Sequence, residues 1–269
     1  MARIALGIEY DGSAYCGWQR QGHAPSVQGE LERALSRIAD HEVQLTAAGR
    51  TDTGVHALAQ VAHFDTHVVR TEQAWVRGGC SGSAPDISVL WARTVPDDFH
   101  ARFDALSRSY LYRILNRPVR PALERVRACW MRRPLDADAM HAAAQRLVGE
   151  HDFSALRSSD CQSPTPVRKL LEISVTRYHD VVEITVRANA FLHHMVRNIA
   201  GTLIAVGVGD QPEEWVAGLL AARDRTQAGV TAPPQGLYFA GVEYPAALGL
   251  PSPPRHSGRL PTRRPGGSP

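Results

Sequence analysis

Leu170-Leu171-Glu172-Ile173-Ser174-Val175-Thr176-Arg177-Tyr178 and Val181-Val182-Glu183-Ile184-Thr185-Val186-Arg187-Ala188 are separated only by His179-Asp180. They read as the two strands of a tight hairpin. Before it, a strand is expected at 107–116 and a helix opened by Asp136 and running to Val148. After it come an apolar helix from about Ala190 to Val206, a second opened by Pro212 and running to Ala222, and a last strand from Leu237 to Tyr244. Towards the N-terminus, Ile4, Leu6, Ile8 and Tyr10 recur with period two and predict a first strand. A Gly-bearing loop, Asp11 to Pro25, leads to Ser26 at an N-cap position, and Val27, Leu31, Ala34, Leu35 and Ile38 then line one helical face. Strands are expected at 43–48, 58–65 and 87–95, with a helix near 71–78. Strands joined by hairpins as well as by helices predict an α+β fold with mainly antiparallel sheets, not a doubly wound one. No GxGxxG follows a strand and no GxxxxGK[ST] occurs, which excludes dinucleotide and P-loop chemistry.

The 269 residues correspond to one large domain or two modest ones. Apolar residues make up 43% and charged residues 21%, ordinary globular usage that excludes disordered and collagenous classes. No run approaches the ~18 apolar residues of a transmembrane helix, and the opening residues lack the pattern of a signal peptide. The four cysteines (Cys16, Cys80, Cys129, Cys161) are scattered, so neither a disulfide framework nor a zinc site is expected, and a reducing cytoplasm is the default location.

The net charge of +3 is unevenly spread. Residues 1–104, a first half, hold 9 basic and 13 acidic side chains; residues 105–245, a second half, hold 17 and 14. Residues 246–269 carry four arginines and no acid among prolines, glycines and serines, and are expected to be disordered. From Arg102 to Arg133 nine arginines face only Asp104 and Glu124, with Tyr110, Tyr112 and Trp130 interleaved. A solvated surface explains such a run, and so does a nucleic-acid interface combining phosphate contacts with stacking.

Two segments carry unusual chemistry. Gly49-Arg50-Thr51-Asp52-Thr53-Gly54-Val55-His56-Ala57 packs a cation, an anion and an imidazole between glycines that permit close approach of a ligand. Asp52 is either a turn residue bonding its own loop amides or a reactive carboxylate. The apolar helix holds His193, His194, Arg197 and Asn198 in its middle. An arginine there costs several kcal/mol unless an anion meets it, so a carboxylate is expected at Arg197, with Asp52 the natural candidate. The two histidines are read as packing. A metal is set aside for want of a third ligand.

These segments resemble the tRNA pseudouridine synthase A family. The resemblance rests on GRTDTGVHA, on Tyr10-Asp11-Gly12-Ser13 and Gly17-Trp18-Gln19-Arg20-Gln21, on His100-Ala101-Arg102-Phe103-Asp104 with Ser107-Arg108-Ser109-Tyr110-Leu111-Tyr112-Arg113-Ile114, on Asp152-Phe153-Ser154-Ala155, on Phe191 to Ile199, and on Ala232 to Tyr238. Thr53 stands where the family pattern has alanine, and His194 and Ser109 are mild variants. The resemblance implies two pseudo-related α+β halves around a central cleft and a cofactor-free, metal-free isomerase. Its substrate would be tRNA, at uridines 38–40 on the 3′ side of the anticodon stem-loop, held by a homodimer. It further implies Asp52 as the essential carboxylate, nucleophile or base towards the ribose, with Arg197 as its positive partner and Tyr110 stacking on the flipped uracil and handling the C5 proton. Arg50 would hold the loop or intrude where the base leaves the stack, and Leu237 would line the uracil pocket. Arg108 and Arg113, in the basic segment, are expected to face the RNA. A tRNA-binding folding chaperone and an unrelated small-molecule enzyme are the alternatives. The first predicts damage at Asp52, Tyr110 or Arg197, and the second has no need of the basic segment.

Overall fold

The computed structural model describes residues 1–22 and 24–252. Among them ten strands and five helices follow the order β1 (Ala2–Tyr10), α1 (Val27–Ala39), β2 (Thr46–Ala47), β3 (His56–Thr66), α2 (Glu72–Gly82), β4 (Ile87–Val95), β5 (Ser107–Asn116), β6 (Cys129–Met131), α3 (Ala137–Gln145), β7 (Gly149–Asp152), β8 (Val167–Tyr178), β9 (Val181–Ala188), α4 (Met195–Gly207), α5 (Trp215–Ala222) and β10 (Leu237–Glu243). The class is α+β. All ten strands join one sheet, ordered β4-β1-β3-β10-β5-β9-β8-β7, with β2 beside β3 and β6 beside β5. Only β3–β10 and β5–β6 pair in parallel.

Strands from residues 1–104 and from residues 105–245 therefore join one sheet. β10, the last strand of the second half, inserts between β3 and β5, setting Phe239 opposite Ala57 on one side and Tyr110 on the other. Two cores flank this junction. Leu6, Leu31, Phe64, Trp75 and Phe99 belong to the first, and Ile114, Met140, Phe153, Ile184 and Leu203 to the second. The exchange is reciprocal: Phe239 fills the first core and Val55 the second, while Tyr110 on β5 packs against both.

The hairpin forms as its sequence dictates, in register from Tyr178–Val181 to Glu172–Arg187, with a bulge at Leu171 before the Leu170–Ala188 pair and with His179 turning at φ 54°. Helix caps follow the side chains. Ser26 accepts the Gly29 N–H, Thr71 that of Ala74, and Asp136 those of Asp138 and Ala139.

Three expectations need correction. Only Thr46–Ala47 of the strand expected at 43–48 forms, because the preceding backbone bonds to helix side chains: Glu32 accepts the Leu45 N–H (2.9 Å), Gln28 donates to the Leu45 carbonyl (3.1 Å), and Ser36 accepts the Val43 N–H (2.9 Å). The helix expected from Ala190 starts at Met195. Asn189 Oδ1 takes the Ala190 N–H (2.8 Å) and the His193 carbonyl accepts the Ser158 N–H (2.9 Å), which diverts that backbone from helical bonding. The segment from Ala246 is structured at its start, with a 3-10 turn at Ala246–Leu248 and with Leu248 and Leu250 packed against the first core. Residues 253–269, including the four tail arginines, lie outside the described residues.

β3 also carries a pH-sensitive tie. His63 is 6% exposed and accepts the Ala101 N–H at Nδ1 (3.2 Å). Burial, aided by the nearby positive charge of Arg3 and by His100, pushes its pKa down to about 4. An unfolded histidine titrates near 6.5, so the folded state binds fewer protons between those values. The resulting stabilisation is complete above pH ~6.5 and is lost as pH falls through 4, by at most about 3 kcal/mol. Thermal unfolding midpoints should fall across this interval. In His63→Gln the decline should be shallower.

Candidate active site

The Gly49–Ala57 loop bridges β2 and β3, and its backbone is fixed from several sides. Gln60 Nε2 donates to the Gly49 carbonyl (2.7 Å), Trp18 N–H to the Thr51 carbonyl (3.0 Å), and Gly54 N–H to the Tyr15 carbonyl (3.3 Å). Tyr10 and Thr51 share a buried hydroxyl bond (2.8 Å). Gly17, at φ +91°, lets the first loop pass this close: a Cβ there would lie 2.5 Å from the Thr51 carbonyl oxygen and 3.1 Å from the Asp52 carbonyl carbon. Both the backbone angle and the contact demand glycine. Gly17→Ala should displace Asp52 and lower the rate of any reaction that this carboxylate serves by ~10²-fold.

So anchored, Asp52 meets Arg197. Arg197 Nη1 lies 3.2 Å from Asp52 Oδ2, in a pair whose side chains are 14% and 28% exposed. Arg197 is itself held at the first turn of α4, where Nε donates to the Ala232 carbonyl (2.8 Å) and its own carbonyl accepts the Ala232 N–H (3.1 Å). The next residue, Asn198, is wholly buried. It donates to the Leu156 carbonyl (2.9 Å) and accepts from Thr231 and Arg225 (2.7 and 3.0 Å), which fixes the helix end to both flanking loops.

The histidines are more than packing. They occupy the loop before α4, where His194 adopts a left-handed conformation (φ 60°, ψ 4°). His194 Nε2 lies 3.2 Å from Asp52 Oδ2 and His193 Nε2 lies 3.5 Å from Asp52 Oδ1. Burial lowers the pKa of His194 against the pull of the Asp52 charge, so its ring is neutral at pH 7. Asp52, His193 and His194 each place a donor atom within 4.8 Å of the others, so the fold brings a carboxylate to the two imidazoles that the local sequence does not supply.

Tyr110 on β5 packs between the two cores, edge-on to Phe191 (4.9 Å) and Phe239 (5.0 Å). Burial, reinforced by Tyr10 and the Asp52 charge, raises its pKa well above the ordinary tyrosine range and keeps the phenol protonated. Leu237 opens β10 opposite Tyr112 and is buried in the second core. Arg50 is exposed on the loop two residues before Asp52.

The basic segment divides in a way its composition does not reveal. Arg113 is 7% exposed, ion-paired with Glu124 (3.5 Å) and Glu183 (3.7 Å), and so removed from any phosphate. Arg108 is spent on the carbonyls of Ala48, Ala105, Asn189 and Arg102, pinning the linker between the halves. The burial of Arg113 makes it an internal brace where an RNA contact is expected, since β5 is a central strand, while Arg108 is half-buried with its guanidinium bonded inward. Arg127 pairs with Asp11 (2.8 Å) and Arg133 with Asp210 (2.9 Å). Arg102, Arg120, Arg125 and Arg132 are exposed and in no ion pair among the described residues.

The Arg127 loop adjoins the Asp52 loop. Val126 offers its carbonyl to His56 Nε2 (2.9 Å), while His56 Nδ1 accepts the Gly12 N–H (3.1 Å). Burial lowers the His56 pKa, in keeping with a neutral ring in those roles. Burial acts to raise the pKa of Asp11, but hydrogen bonds from Ser13 and Arg127 outweigh it and hold the carboxyl at about 2.

Known proteins resemble the chain over nearly its whole length. The tRNA pseudouridine synthase family matches residues 7–104 and 143–245, with Tyr110 and the basic segment between the two stretches. A tRNA pseudouridine synthase A of Coxiella burnetii (strain Dugway 5J108-111) is 56% identical over 254 residues, 94% of this chain and 97% of that protein. Another, from Xanthomonas euvesicatoria pv. vesicatoria (strain 85-10), is 58% identical over 252 residues, 93% and 98% respectively. A solved archaeal box H/ACA sRNP Nop10–Cbf5 complex aligns over 75% of this chain and 43% of its own, at 12% identity and TM-score 0.36, too weakly to add to the assignment. On its family match and on relatives that span nearly its full length, the chain belongs to the tRNA pseudouridine synthase family.

Proposed function

We propose that the protein isomerises uridine to pseudouridine in tRNA, at positions 38–40 of the anticodon stem-loop. The observation that carries the reading is Asp52, fixed in a glycine-bracketed loop and held against Arg197 beside Tyr110. The positive guanidinium favours an ionised carboxylate, which suits Asp52 to attack C1′ or to take a proton from the ribose. In the net reaction the N1–C1′ bond breaks, a C5–C1′ bond forms, C5 loses its proton and N1 gains one. Tyr110 offers a face for the extruded uracil, whose unstacking costs a few kcal/mol. Its raised pKa keeps it protonated in the resting enzyme, so it can accept the C5 proton only after giving up its own. Leu237 bounds the uracil pocket, and Arg50 contacts the RNA where the base leaves the stack.

The test is release of tritium from C5-labelled tRNA transcripts, with the product mapped by carbodiimide-dependent reverse-transcription stops. Stops at 38–40 support the reading; binding without release contradicts it. A homodimer sharing one tRNA is part of the proposal, and sedimentation should give twice the chain mass. No helix among the described residues is long and apolar enough to cross a membrane, and we place the protein in the cytoplasm with its RNA.

The exposed arginines make the RNA surface specific. Replacing Arg102, Arg120, Arg125 and Arg132 with alanine should flatten the slope of log K against log salt by up to about 0.7–0.9 for each phosphate that is no longer neutralised. Arg113→Met should instead lower the unfolding midpoint and leave that slope unchanged, as it strands Glu183 without its cation.

A further inference from the structure

We propose that Asp52, His193 and His194 form an inhibitory site for a divalent transition-metal ion of the zinc class, whose occupancy and RNA turnover are mutually exclusive. The three residues come from two segments far apart in sequence, the catalytic loop and the loop before α4. Their donor atoms converge within 4.8 Å of one another.

The spacing suits zinc. With metal–nitrogen bonds of about 2.0–2.1 Å, the ligand–ligand edges of a tetrahedron are about 3.3–3.4 Å. The imidazole–carboxylate separations are 3.2 Å from His194 Nε2 to Asp52 Oδ2 and 3.5 Å from His193 Nε2 to Asp52 Oδ1. Adjacent residues seldom aim both imidazoles at one point. Here the left-handed backbone at His194 turns the second ring beside the first, with centroids 4.0 Å apart. Two imidazoles and a carboxylate, with a coordination position left open, are the donor set of catalytic zinc sites. They also fit cobalt, nickel and copper and are a poor match for magnesium, which prefers oxygen.

Other charges bear on the site. Arg197 is bonded to Asp52 Oδ2 and opposes a second cation, while Asp160 acts on His194 in the opposite sense. His194 and Arg197 both approach Asp52 Oδ2 at 3.2 Å, so a metal between the imidazoles and the carboxylate competes with the guanidinium, which weakens binding. Occupancy withdraws the Asp52 electron pairs that the proposed reaction needs and fills the approach of the ribose. The blockade therefore rests on the proposed isomerase reading, but the binding does not.

Cobalt(II) is the probe. Added to the full-length protein without RNA, it should give one equivalent of intense visible d–d bands of a four- or five-coordinate centre, displaced by zinc. His193→Gln with His194→Asn, the latter chosen because asparagine tolerates the left-handed region, should abolish the bands while circular dichroism stays unchanged. In the tritium-release assay, zinc at micromolar concentration should slow the wild type at least tenfold, and EDTA should restore it. Weak octahedral bands, or strong bands that survive the double substitution, would overturn the site. Intact bands with undiminished turnover would refute the blockade alone. Protein that gives the bands but isomerises no tRNA would contradict the proposed function and leave the metal site standing.

Discussion

Asp52→Asn should lower the single-turnover rate of tritium release by ~10³-fold or more, with tRNA affinity within about threefold of wild type. Asparagine keeps the shape of the side chain and its place in the loop, where Thr51, Gly49 and Gly54 carry the anchoring bonds. It removes the charge and the electron pair. A neutral amide is a poor nucleophile and a poor base, so either proposed role at the ribose fails, and a loss of that size corresponds to about 4 kcal/mol of barrier. Binding should survive because an anion contributes nothing favourable to phosphate contact. Turnover within tenfold of wild type would remove Asp52 from the chemistry. A parallel collapse of affinity would mean that the loop, not the carboxylate, had been disrupted.

The meeting of Asp52 with Arg197 is legible in the sequence despite a separation of 145 positions. The reason is energetic: an arginine among Met195, Val196 and Ile199 demands an anion, and Asp52 has no evident local task. Strand boundaries at 87–95 and 107–116 are legible as well, since a ladder imposes its period on every residue. What local pattern cannot carry is competition for backbone groups by distant side chains. Glu32 and Gln28 satisfy the backbone at Leu45 and so end a strand that hydropathy would begin there. Likewise, composition shows the same guanidinium at Arg113 and Arg120, and only the placement of β5 in mid-sheet separates a buried brace from an exposed cation. His194 stayed hidden for a third reason: a left-handed residue just before a helix leaves no periodic trace.

Arg197 separates two jobs that its contacts combine. Its Nη1 neutralises Asp52, and its Nε secures the Ala232 carbonyl. Arg197→Met removes both, and kcat should fall by ~10²–10³-fold while the orphaned carbonyl costs about 1–3 kcal/mol of stability. Arg197→Lys keeps a cation near Asp52 but cannot reproduce the fork. It should regain part of kcat and little of the stability, so the two readouts diverge. The decisive measurement is the double variant. If Arg197 acts through the Asp52 carboxylate, adding Arg197→Met to Asp52→Asn should cost no further activity, because the group it serves is already gone. Stability should move the other way: Asp52→Asn leaves a largely buried guanidinium without its anion, and removing that guanidinium should recover part of the loss. Multiplied activity losses would instead give Arg197 a contact of its own with the uracil or a phosphate, and its pairing with Asp52 would then describe only the resting state.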